Sequence, residues 1–94
     1  MAKLRFVHEF DDKGPEGSMS VDTDAAAPAK VRLEVDAEGG VSIRANGEGW
    51  LHLARIAAEL GLGTYETGYH FHKDGEFQWS TGAPEFTFER DDTL

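Results

Sequence analysis

The chain contains no cysteine. This rules out disulfides, a thiol nucleophile and any thiolate-ligated metal, so apolar packing or self-association must hold so short a fold. It also fits a reducing compartment. Long apolar runs are missing too: nowhere do the roughly 18 apolar residues of a membrane span follow one another. The first residues lack the basic-then-apolar layout of a secretory leader, so the expected location is cytoplasmic. Basic residues are scarce, nine against eighteen acidic, for a net charge of −9. Such a field repels phosphates and argues against nucleic acid; it suits a basic protein partner, and it also keeps a small domain soluble. The imbalance is greater after residue 45, where nine acids meet three bases. There is no phosphate-cradling loop, because Gly61-Leu62-Gly63 is short and follows a helical pattern instead of preceding one. Thr64, Ser80 and Thr81 have no base and orienting carboxylate patterned around them, so no enzyme is expected.

What is present reads as strands around one helix in a single domain of 94 residues. Lys3 to Phe10 alternates, with Leu4, Phe6, His8 and Phe10 on one face, and His8 in that row is expected to be a core or strand-end histidine. Residues 11–29 are loop-rich, although Ser18 to Asp22 reads as a short return strand with Met19 and Val21 inward. Lys30 to Asp36 is the cleanest strand, with Val31, Leu33 and Val35 on one side and charges on the other. Ala37 to Gly40 turns the chain, and Val41 and Ile43 are expected to resume the inward row. Asn46 is a good N-cap for a helix over 47–60. Its expected buried stripe is Trp50, Leu53, Ala54, Ala57 and Leu60, widened by Leu51 and Ile56, with His52, Arg55 and Glu59 on the wetter side and Gly61 as the terminating residue. Glu85 to Arg90 closes the fold with Phe86 and Phe88 inward, and 91–94 form a frayed tail. The expected class is α+β: an antiparallel sheet of about five to seven strands packed on one helix in two layers, in the order strands, helix, strands.

Gly68 to Arg90 holds six of the ten aromatic residues. Tyr69 and Phe71 alternate with His70 and His72; after Asp74-Gly75, Phe77 and Trp79 alternate with Gln78 and Ser80. A three-residue turn at Lys73-Asp74-Gly75 pairs His72 with Glu76, Phe71 with Phe77 and Tyr69 with Trp79, so every large aromatic shares one face. The other face then carries His70, His72, Asp74, Glu76 and Gln78, the candidate interaction face. Two imidazoles and a carboxylate, His70, His72 and Glu76, are also a ligand set for zinc or another divalent transition metal, with Asp74 as a substitute. The plain alternative is a solvated polar face that requires no cofactor.

The segments GWLHLARIAAEL, GYHFHKDGEF and PEFTFER together resemble an immunity family of bacterial polymorphic toxin systems, immunity protein type 32. The shared layout is a strand, a short helix with the Leu53-Ala54 step, Gly-aromatic-His-x-His-x-Asp over Gly68 to Asp74, and a closing aromatic strand. It covers about residues 30–90. Phe77 to Ser80, FQWS, departs from that layout. The resemblance implies a protein that binds and neutralises a cognate toxin without catalysis.

Overall fold

A computed structural model describes residues 2–21, 28–73 and 86–94, the side chains of His72 and Lys73 excepted. The described elements run β1 (Val31–Val35), β2 (Val41–Ala45), α1 (Gly47–Leu62), β3 (His70–Lys73) and β4 (Phe86–Glu89). The class is α+β, with one helix and two antiparallel ribbons, β1–β2 and β3–β4. Among the described residues there are four strands, fewer than the five to seven expected. Among the described residues, Lys3 to Phe10 and Ser18 to Val21 form no strand. Alternation makes a strand only where a neighbouring strand takes up the backbone hydrogen bonds. Here polar side chains tie residues 8–21 to the helix and the loop after it. Leu4 is consequently 90% exposed, although Met19 is buried and Val21 half-buried, as their inward expectation requires.

The β1–β2 register pairs Val31 with Ala45, Leu33 with Ile43 and Val35 with Val41. The turn between them is held by Asp36, whose Oδ1 accepts from the amides of Glu38 at 2.9 Å and Gly40 at 2.7 Å. Gly39 takes φ of 86°, a value that costs glycine little and other residues more.

Asn46 joins ribbon to helix. Its side-chain oxygen accepts from the amides of Gly49 at 2.7 Å and Lys30 at 3.1 Å, and its Nδ2 donates to the Pro28 carbonyl at 2.8 Å. A Cβ at Gly49 would run into the Lys30 carbonyl, so glycine there is what lets the first helical turn close on the strand.

The helix outlasts its expected end by two residues, running from 47 to 62 in place of 47 to 60. Gly61 lies inside it, and Gly63 is the cap in extended conformation. The reason is Arg90, whose Nη1 donates to the Leu60 and Gly63 carbonyls, both at 2.8 Å. A guanidinium at the negative end of the helix dipole replaces the left-handed glycine stop, and Leu62 is left exposed.

The core is Met19, Val31, Leu33, Ile56 and Tyr65, with Leu53, Leu60, Tyr69, Phe71, Phe86 and Phe88 packed against it. The inward setting of Phe86 and Phe88 agrees with their alternation. The helical stripe differs from the expected one. Ile56 is buried as expected, but Gly49, His52 and Glu59 are buried beside it, whereas Trp50 is 50% exposed and Leu51 and Ala57 are exposed as well. Two local causes turn the helix this way: the close approach at Gly49 and the hydrogen bonds that the N-terminal segment supplies to Glu59. Val35, Val41 and Ile43 are also corrected, at 45%, 63% and 44% exposed, because α1 begins at the far end of the ribbon and covers Val31 and Leu33 but not the turn end.

Candidate functional site

The β3–β4 register sets His70 opposite Glu89, Phe71 opposite Phe88, His72 opposite Thr87 and Lys73 opposite Phe86. Pairs share a face and alternate along the ribbon, so His70, His72, Thr87 and Glu89 lie on one side, with Phe71, Phe86 and Phe88 on the other. The Phe71 and Phe88 rings stack at 5.2 Å and anchor that register. On β3 the described side chains are His70, which is exposed, and Phe71, which packs against the core; Lys73 falls by register on the side of Phe86. The alternation read from the sequence marked sides only. It did not identify β4 as the neighbour, since residues so far apart in sequence leave no local sign of pairing. The three-residue turn, Asp74, Glu76, Gln78 and the pairing of His72 with Glu76 lie outside the described residues.

His70 Nδ1 is 2.7 Å from the Gly68 carbonyl, and a carbonyl can only accept, so Nδ1 carries the proton. In the neutral ring the lone pair then sits on Nε2. Glu89 Oε1 lies 4.0 Å from Nδ1, with both side chains about half exposed. Among the described residues no three His, Asp or Glu side chains converge as a metal set. The carboxylate that shares the face of His70 there is Glu89.

The most constrained polar group in the described residues is Glu59, which the periodicity had placed on the wet side. Its side chain is fully buried. Oε2 is 2.6 Å from His8 Nε2, while Oε1 accepts from the Ser20 amide at 2.9 Å, the Ser20 hydroxyl at 3.0 Å and the Val21 amide at 3.2 Å. Burial alone would push this carboxyl up. The bonds from His8, Val21 and Ser20 outweigh it and leave the carboxyl below the ordinary glutamate value. The carboxylate lies between the hydroxyl and the imidazole, so His8 does not face Ser20 as a base would. The cluster orders a segment and does not activate a nucleophile. A charged residue among apolar neighbours was the only signal for it, and its partners lie at sequence separations of 38 to 51.

The third feature is the turn end of β1–β2. Val35, Val41 and Ile43 share a face by register and stand open to solvent, next to the exposed acids Asp36 and Glu38. A groove lined by Lys13, Pro15, Glu16, Gly17 and Glu66 is open to solvent and brings together no reactive set. Among the described residues no helix is long and apolar enough to cross a membrane. No protein-family model, curated protein or solved structure matches the chain.

Proposed function

We propose that this chain is a small acidic protein-binding module that engages a basic partner, in the manner of an immunity protein neutralising a cognate toxin. One observation carries the reading: an uncovered aliphatic face, Val35, Val41 and Ile43, bordered by Asp36 and Glu38 on a chain of net charge −9. Open aliphatic side chains on one sheet face supply burial on association, and the acidic border favours encounter with a positively charged surface. The polar face of His70, His72 and Glu89 is a second contact region on the same protein.

The test is to express the product of the gene adjacent to this one, alone and together with this chain. The expected result is growth arrest by the neighbour alone, rescue by co-expression, and co-elution of the two proteins. A Val41→Asp/Ile43→Asp variant should bind about tenfold or more weakly. A harmless neighbour that forms no complex would overturn the reading.

A second reading, a divalent metal held by the His-x-His face, draws on His70 and His72 sharing a face with Glu89. Calorimetric titration with Zn²⁺, Ni²⁺ and Cu²⁺ decides it: equal weak binding by wild type and a His70→Ala/His72→Ala variant removes it.

A further inference from the structure

We propose that residues 2–21 form an acid-releasable strap, latched onto α1 by the buried carboxylate of Glu59. The inference is independent of the partner-binding reading. The strap contains no helix or strand of its own and is joined to the rest by few polar contacts. At its middle Asp12 Oδ2 accepts from the Thr64 hydroxyl at 2.9 Å and from the Thr64 amide at 3.2 Å. Near Pro15 its carbonyl accepts from the Glu66 amide at 3.4 Å. At both His8 and Ser20–Val21 it converges on Glu59. A single carboxylate thus gathers two points of the strap separated by a dozen residues, and Met19, which the strap contributes to the core, lies between them.

Protonation of Glu59 acts together on its contacts with His8, Ser20 and Val21. An ionised carboxylate offers acceptor sites only, and here four donors use them. A protonated one places its own hydrogen against N–H or O–H donors and loses most of its strength as an acceptor for the rest. The ionisable groups around the latch are His8 from the strap, Tyr65 from the loop after α1 and His52 on the same helical stripe. Asp12 sits further along at Thr64, and Arg90 at the helix end. The ribbons present apolar side chains to this core: Val31 and Leu33 from β1, and Phe71, Phe86 and Phe88 from β3–β4. Two carboxylates thus hold the strap, Asp12 at its middle through Thr64 and Glu59 at both His8 and Ser20–Val21, and each has its pKa lowered in the folded state by the bonds it accepts. Glu59 is the one that gathers the two distant points. The latch is accordingly intact above the ordinary glutamate pKa and opens as pH falls through the lowered folded value. Opening removes Met19 from Ile56 and Tyr65, so the two states differ in apolar surface as well as in chain order.

Amide hydrogen exchange, normalised to intrinsic rates, tests this as a titration from about pH 7 down through the acid range in which α1 stays folded. The expected result is a drop of about ten- to a hundredfold in protection at Ser20 and Val21 in acid, with Ile56 in α1 and the far-UV spectrum unchanged. Glu59→Gln should show the loosened pattern already at neutral pH, and His8→Ala should move the midpoint to higher pH. The wild-type titration stands alone should Glu59→Gln fail to fold. Retained protection at Ser20 and Val21 in acid, simultaneous loss at Ile56, or an unmoved midpoint in His8→Ala would each overturn the proposal.

Discussion

Replacing Arg90 with alanine tests how α1 is terminated. The guanidinium donates through Nη1 to two helix-end carbonyls at 2.8 Å and through Nε to Asp92 Oδ1 at 2.9 Å, with its side chain 23% exposed. A charged hydrogen bond of this kind contributes about 1.5–3 kcal/mol when its loss leaves the partner unsatisfied, and a cation at a helix C-terminus contributes about 0.3–1 kcal/mol. Water reaches part of this site and can rehydrate the Leu60 and Gly63 carbonyls, so the sum must be discounted. The expected cost is about 2 kcal/mol. A urea m-value of about 1–3 kcal/mol/M for a small protein turns that into a midpoint lower by about 0.7–2 M with m unchanged. Arg90→Lys keeps the charge but has lost the planar fork, and should recover about half. Arg90→Met keeps the apolar stem and should resemble alanine, which separates donor loss from packing loss. If Arg90→Ala unfolds within about 0.3 M of wild type, the helix end is held by something else and the account of its two extra residues fails.

Gly49→Ala should destabilise by about 1–3 kcal/mol, because the new methyl meets the backbone carbonyl of Lys30; thermal denaturation by circular dichroism reads it. Leu33→Ala should cost about 2–5 kcal/mol in urea unfolding. Trp50→Ala should cost about 1 kcal/mol, since half of the indole is already in water, and equal costs would show that the helix is turned as its hydrophobic periodicity alone suggests. Wild-type stability should fall as pH drops below the ordinary glutamate range, because the Glu59 pKa is lower folded than unfolded, and Glu59→Gln should flatten that slope in urea titrations across acidic pH.

Where neighbours are close in sequence, the chain could be read directly. Val31 to Ala45 alternates around an Asp-anchored glycine turn, and the observed register follows. Asn46 announced the helix start because an N-cap acts on residues immediately after it. The helix end was not legible, since the donor that sets it comes 30 residues later. Nor was the buried stripe: hydrophobic periodicity favours Trp50 over Glu59, and only the folded chain brings His8 and Ser20 to satisfy that carboxylate. The outward setting of His70 and the inward setting of Phe71 were legible from alternation. The described partner of His70, Glu89, was not, because alternation reveals which residues share a side but not which strand adjoins them.

The Asn46 junction also bears on how the chain reaches this arrangement. By tying Pro28, Lys30 and Gly49 through one amide, it joins residues 28–62 into a contiguous unit through bonds that span 18, 16 and 3 residues. Short loops close at small entropic cost, so such a unit is suited to form early. The bonds from His8 and Asp12 bridge 51 and 52 residues, the first to Glu59 within that unit and the second to Thr64 just beyond it, and so require the folded unit first. The segment over residues 2–21 then finds its place after that unit has formed. Changes within the segment should speed unfolding while leaving the refolding rate near that of wild type.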